Sequence, residues 1–324
     1  MRRWDRGACF KNNEKDDGMR VVLSSAALKL SASAVAEEFD YEVSLGFDNS
    51  NTESQFSIPP DLLDIFPFPI ATDTESDSDT FNGSFRWYFE GLSDEIGPRD
   101  RAVFANRASF AQFAVLSGTL SRSSRQVEGD QVLIIDDDTD LTGYVLSARK
   151  VFDNWFFEGS VSGADIESNF SLLEQTAVTA GAGRYFGETT ALSLTVIRTS
   201  TDFMSNNDID SGLQIDLNHI GDLFGSQWQY AVDVSANNET FESSDGSYEV
   251  GLTLYPTKNF GIGFEIEDQL GGTNNDAIRY TLGANWFVSP QLQFEFAVGT
   301  IDIDNGANQD TDTEQYGVQA RYRF

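Results

Sequence analysis

315-QYGVQARYRF-324 stands at the end of the sequence, and it reads in steps of two. Back from Phe324 come Tyr322, Ala320, Val318 and Tyr316, with Arg323, Arg321, Gln319, Gly317 and Gln315 between them. This alternation describes a β-strand with one apolar face and one polar face. Two architectures end in such a strand. In a sandwich it is an edge; in a barrel it pairs back onto the first strand. The rest of the chain chooses between them.

Working outward, the same unit recurs from residue 39. Strand one, 39–48, sets Phe39, Tyr41, Val43, Leu45 and Phe47 against Asp40, Glu42, Ser44 and Asp48. Strand two sets Phe81, Phe85, Trp87 and Phe89 against Asn82, Ser84, Arg86 and Glu90. Strand three, about 109–121, is weakly patterned. Strands four to seven fall at 141–152, 155–164, 174–186 and 191–202, and strand eight carries Leu213, Ile215 and Leu217 against Gln214, Asp216 and Asn218. Strands nine to thirteen repeat the pattern around Val232, Val250, Phe264, Leu282 and Phe296, so the closing strand makes fourteen. Twelve and sixteen are the alternatives, because strand three and the 93–107 link are poorly patterned. Each segment is long enough to cross a bilayer at a tilt. Between strands one and two the sequence predicts a long acidic loop reaching residue 79, with 62-LLDIFPFPI-70 as a short inward helix.

Two asymmetries favour the barrel. By this reading, connections after even strands are short and those after odd strands long, which puts tight turns on one side and loops on the other. Aromatics also gather at strand ends (Phe39, Phe47, Phe81, Phe89, Trp228, Tyr248, Tyr280, Trp286), as interfacial girdles require. Composition agrees. The chain has 26 Phe in 324 residues, yet its mean hydropathy is −0.32, as expected of strands apolar on one face only. No run approaches the eighteen or more apolar residues of a spanning helix. A closed barrel is the other way to satisfy every backbone polar group within lipid. The expected fold is therefore all-β: a transmembrane antiparallel up-and-down β-barrel over residues 37–324.

Residues 1–36 read as an N-terminal extension and signal peptide. Met19-Arg20 leads into an apolar stretch interrupted by Lys29, then Ala34-Val35-Ala36 in the form of a cleavage site. The true start is Met1 or Met19. The chain holds 21 Lys+Arg and 52 Asp+Glu, of which residues 1–36 hold seven and four, leaving 14 against 48. So acidic a surface repels nucleic acid and attracts cations. The clusters 72-TDTESDSD-79 and 136-DDDTD-140 read as solvated loops. Cys9 is the only cysteine and lies in the leader, which excludes disulfides and thiolate metal sites downstream.

The closing strand, ending in Phe324, resembles that of Gram-negative outer-membrane barrels. The modules 248-YEVGLTLYPTKNFGIGFEIED-268 and 280-YTLGANWFVSPQLQFEFAVGT-300, with Gly97-Pro98 before 103-VFANRAS-109, resemble the repeated hairpins of a family of Gram-negative outer-membrane porins. The similarity spans residues 39–324 and is one of hairpin style with few fixed motifs. It implies an outer-membrane location, passive diffusion of small hydrophilic solutes and cations, and contact with lipid and lipopolysaccharide. It also implies insertion by the barrel-assembly machinery, which would read Tyr322 and Phe324. The solute, the oligomeric state and any constriction by residues 49–79 stay open. A non-conducting barrel that anchors at the surface through its acidic loops is the alternative.

Enzyme chemistry finds little support in the sequence. A hydrolase needs a histidine relay, and His219, the only histidine, falls on the outward register of strand eight. Glu265 and Glu267 imitate a glycosidase pair, but alternate inward charges are what any polar lumen shows. In 302-DIDNGANQDTDTE-314, Gly306 stands one place too early for a calcium loop. No cofactor is expected. Function then rests on inward side chains: Glu158, Asp216, Asp233, Glu249, Glu265, Glu267 and Glu295, with Arg86, Arg149, Arg279 and Arg321. Glu42, Glu90 and Arg323 share that inward register.

Overall fold

The computed structural model describes residues 38–58, 70–93, 97–128, 131–168, 172–203, 206–223, 227–238, 246–270, 276–304 and 309–324. The leader and the 62–70 helix expectation fall outside them, except for Ile70. The strands are β1 (Glu38–Ile58), β2 (Ile70–Ser93), β3 (Phe110–Glu128), β4 (Gln131–Phe152), β5 (Trp155–Ser168), β6 (Leu172–Phe186) and β7 (Thr190–Phe203). There follow β8 (Asn206–Asp222), β9 (Gln229–Asn238), β10 (Gly246–Thr257), β11 (Phe260–Leu270), β12 (Asp276–Phe287), β13 (Leu292–Asp304) and β14 (Gln309–Arg323). Each pairs with its sequence neighbours, and β14 pairs with β1 to close a 14-strand antiparallel barrel.

The seam is made by the strand that decided the fold. Val43, Leu45 and Phe47 lie opposite Tyr322, Ala320 and Val318. Beyond β14, the Phe324 backbone carries the ladder on: its N–H donates to Tyr41 O at 2.9 Å, and its carbonyl accepts from both Asp40 N and Tyr41 N. Two β1 residues thus face one partner, a β-bulge, and the alternation slips there. Phe39 therefore turns inward and is 2% exposed, a correction to its expected place in the girdle. Glu90 is corrected too. Gly91, at φ +74°, breaks the alternation of β2, and Glu90 meets Lys150 on the outer face beside Phe89 and Phe152.

Burial runs opposite to that of a soluble protein. Leu45, Phe81, Trp87, Phe113, Leu146, Leu194, Phe264 and Trp286 are among the exposed large apolar side chains, all at outward positions. The buried apolar residues sit inside the barrel, at the end where β1 begins and β14 ends. They form three clusters: Phe39–Tyr88–Leu92–Ala102–Ala108, Phe156–Tyr185–Ala191 and Ile220–Ala231–Tyr255.

Strands on the other side run longer than expected. β1 to β4 have 19 to 24 residues, against about ten needed to cross a bilayer, so their far halves stand beyond the crossing length. Both acidic clusters lie on these strands rather than in loops. The reason is in their pattern: T-D-T-E-S-D-S-D is itself period two, with small hydroxyls on the inner register and acids on the outer. Neighbouring strands quiet the charge, as Asn49 and Asn51 donate to Asp79 and Asp77 at 2.8 Å and Ser123 to Asp136 at 2.8 Å. Thr52–Thr313 and Thr74–Ser124 hydroxyl pairs at 2.8 and 3.0 Å line the inner face. With loops converted to strand, the expected alternation in connection length does not hold. β3 ends at Glu128 and β4 begins at Gln131, while the longest link between described strands, 94–109, follows an even one.

Candidate functional site

That link is the main feature that alternation could not show. Gly97, at φ +72°, turns the chain into the barrel, where a 3-10 turn (Arg99–Arg101) and a four-residue helix α1 (Ala102–Ala105) follow. Together, residues 97–109 form a wedge across the end where β1 begins and β14 ends.

The wedge is tied to the wall on every side. Arg99 donates from its backbone to Lys258 O at 3.0 Å and from Nη1 to Asn259 Oδ1 at 2.6 Å, both in the β10–β11 turn. Arg323 returns a bond from Nη1 to Arg99 O at 2.9 Å. Asp100 Oδ2 accepts from Tyr255 OH at 2.7 Å and Asn285 Nδ2 at 2.9 Å. Arg101 donates to Tyr255 OH at 3.1 Å and takes Asp233 in a two-point grip, Nη1 to Oδ1 at 3.0 Å. On the opposite wall, Arg107 reaches Asn154 Oδ1 at 2.7 Å and Gly187 O at 2.6 Å, in the β4–β5 and β6–β7 turns. Phe104 bridges the second and third apolar clusters, its ring 5.8 Å from that of Tyr185. Burial pushes the Asp100 carboxyl up, against the pull of Arg101 and the Tyr255 hydroxyl. Its Oδ1 is buried with no hydrogen-bond partner among the described residues.

Apart from Glu90, each side chain expected inside lies on the inner face, and the structure shows which meet. Glu42 gathers three guanidiniums: Arg323 Nε at 2.8 Å, Arg86 Nη1 at 3.2 Å and Arg321 Nε at 3.5 Å. Arg149 pairs with Glu158 at 2.6 Å and lies over Phe156. Arg279 pairs with Glu267 at 2.9 Å, and Arg321 with Glu295 at 3.1 Å. Asp216 accepts from Ser193 and Gln214. Glu249 faces Glu267 across the β10–β11 pair, with Glu265 next along β11. Among the described residues, Asp48, Asp216, Glu249 and Glu265 have no Lys or Arg within ion-pair distance. Arg122, opposite Ser76 on the inner register, has no acid within ion-pair distance among the described residues either, so the uncompensated charge of the lumen is mainly, not wholly, carboxylate.

Tyr322 and Phe324 stack on the outer face. His219 also lies outward, its Nδ1 2.8 Å from Thr190 Oγ1 and its Nε2 3.3 Å from Tyr230 OH, away from any lumen carboxylate. Sequence reasoning missed Asp100, Arg101, Phe104 and Arg107. The signal was the composition of 97–109 itself, where charge and large apolar residues mix without period two.

No protein-family model matches the sequence, and no curated protein matches it either. Among solved structures the chain is similar to the Acinetobacter baumannii outer membrane protein Omp33, at 13% identity over 90% of this chain and 100% of that one, with a TM-score of 0.48. It is similar to the KdgM porin at 15% identity over 58% of this chain and 98% of that one, with a TM-score of 0.35. For Pseudomonas putida OprB at low pH the values are 10%, 87%, 93% and 0.37. At such values nothing about function passes from those proteins to this chain.

Proposed function

We propose that this chain spans the outer membrane of a Gram-negative cell as a porin-type channel. It would let small hydrophilic solutes diffuse passively, with a preference for cations. The supporting observation is a closed 14-strand barrel, apolar outside and charged inside, whose unpaired lumen charges are mostly carboxylates. Outer-membrane lipid and lipopolysaccharide would surround the outward face. A barrel of this strand number encloses more room than inward side chains fill, and here a cavity of about 380 Å³ opens above the wedge.

The test is a reversal potential in a KCl gradient across a planar bilayer. Cation preference is expected, and more so in dilute salt, because the screening length falls from about 30 Å at 0.01 M to about 3 Å at 1 M. Replacing Glu249 and Glu265 together with Gln should weaken the preference. Anion preference would mean that the arginines govern passage and would overturn the proposal. One observation favours the second reading, a silent anchoring barrel: the wedge and its apolar clusters occupy the end where β1 begins and β14 ends. Discrete conducting steps support the channel; a flat trace at all voltages supports the anchor.

A further inference from the structure

Past the crossing length, β4 becomes apolar a second time. Its outer face runs from Leu146 and Tyr144 through Thr142, Asp140, Asp138 and Asp136, then returns to Ile134 and Val132. Ile134 stands about 33 Å farther along the strand than Tyr144, so the lipid that covers Tyr144 does not account for it. Leu133 and Ile135 do the same on the inner face. Val132, Leu133, Ile134 and Ile135 are 53%, 54%, 61% and 48% exposed. An apolar run bare to water on both faces of a strand marks an interaction site.

The backbone beside these residues is open as well. On one side 131–136 pairs with β3, Gln131 opposite Glu128 and Asp136 opposite Ser123. On the other side the first described pair is Thr139 with Ser168 of β5, because β5 turns back into β6, with Glu167 opposite Leu172. Residues 131–136 therefore form a sheet edge about 20 Å long. Every second residue turns its N–H and C=O away from β3, toward no described strand. Sheet edges are usually blunted by proline, lysine or a bulge. This one has none of the three.

Charge decides what fits. Asp136 and Asp138 follow the apolar run, and among the described residues neither has Lys or Arg within ion-pair distance. A second copy in the same membrane does not fit. Both barrels would stand the same way up, and strands tilted by about 35–45° would cross at the contact instead of running side by side, acid against acid. We propose that 131–136 is a docking edge for an extended, basic polypeptide segment that adds to β4 as an antiparallel strand. Its apolar residues lie against 132–135, and its lysines or arginines, N-terminal to them, lie against Asp136 and Asp138. Main-chain hydrogen bonds supply the affinity, and the apolar and basic positions the specificity. This surface lies beyond the channel reading and does not depend on conduction.

The probe is a fluorescent peptide, Lys-Thr-Lys followed by four valines, titrated by anisotropy onto the full chain in lipid nanodiscs at low ionic strength. Saturable binding is expected, weakened about tenfold or more, equivalent to about 1.4 kcal/mol, by Ile134→Lys. Methylating the peptide nitrogens at every second valine should abolish binding in one phase and spare it in the other, because only one set of amides faces β4. Asp136→Asn combined with Asp138→Asn should weaken binding and flatten its salt dependence. These positions stand past the crossing length, so the variants should fold, as the gel shift on heating checks; Leu133→Lys serves if Ile134→Lys does not. No saturable binding overturns the inference. So does equal binding by Ile134→Lys or by both methylated peptides, since acidity alone would then hold the lysines. Wild-type proteoliposomes that clump without peptide, where Ile134→Lys ones do not, would give the edge to a second copy in a facing membrane and overturn it too.

Discussion

Replacing residues 99–107 with a short Gly-Ser linker is expected to raise single-channel conductance several-fold while leaving the barrel closed. The wedge is the only described segment that leaves the wall and crosses the lumen, and no strand-to-strand ladder runs through 99–107; Ser109, which accepts from Phe89 N of β2 and Val151 N of β4, is kept. The contacts of the wedge are of two kinds, with separable effects. Phe104, half-buried, joins two apolar clusters, so Phe104→Ala should loosen docking by less than the about 3–5 kcal/mol that truncating a fully buried Phe costs and raise conductance part of the way. Arg101→Ala frees Asp233 and should increase cation preference as well. Asp100→Asn gives the opposite contrast. Burial already disfavours the Asp100 charge, so its ionised form opposes docking, and docking strengthens as pH falls through the raised pKa. An amide keeps an oxygen to accept from Tyr255 and Asn285 without that cost, so conductance should stay at the wild-type level or fall. An unchanged conductance on full removal of 99–107 would show that the narrowest point lies elsewhere, and the wedge would lose its role. A wild-type barrel that is silent and a wedge-less barrel that conducts would favour the anchoring reading of the native chain.

What the sequence showed and what it hid divide along one physical line. Period-two alternation reports which face of a strand meets an apolar medium, so strand number, closure and the inward set Arg86, Arg149, Glu158, Asp233 and Glu265 were legible from residues alone. Alternation stops reporting where a residue is held by something other than the sheet. At Phe39 a bulge shifts the phase by one, and every inference from parity turns over with it. At Glu90 a positive-φ glycine does the same. The acidic runs mislead in another way: acidity suggests solvent, although Thr72, Thr74, Ser76 and Ser78 alternate with those acids as regularly as Leu alternates with Gln elsewhere. The wedge was hidden because its stability comes from contacts with β6, β9, β10, β12 and β14, which only a closed barrel brings within reach.

Glu42→Gln should lower the stability of the barrel by about 3–5 kcal/mol, the usual range for removing one partner of a buried ion pair. Glu42 is 3% exposed, and Arg323, its closest partner, is 1% exposed. Arg86 and Arg321 reach the same carboxylate, and the Tyr88 hydroxyl donates to it at 3.2 Å. An amide of equal shape accepts at one atom only and carries no charge, so three guanidiniums are left facing one another, with Glu295 to offset Arg321 alone. The site also lies on the seam. Glu42 pairs with Arg323 at the end of the β1–β14 ladder, where strands from opposite ends of the barrel sequence must find one register. Losing the ion cluster should thus favour unfolding from that edge. The comparison is with Glu90 and Lys150 on the outer face, 58% and 42% exposed, where Glu90→Gln should cost about 1 kcal/mol or less, as exposed pairs do. Urea unfolding in detergent micelles, read by the gel shift between folded and heat-unfolded barrel, measures both variants. If the two fall by equal amounts, the cluster at Glu42 contributes no more than a surface pair and the seam is held by its backbone ladder alone.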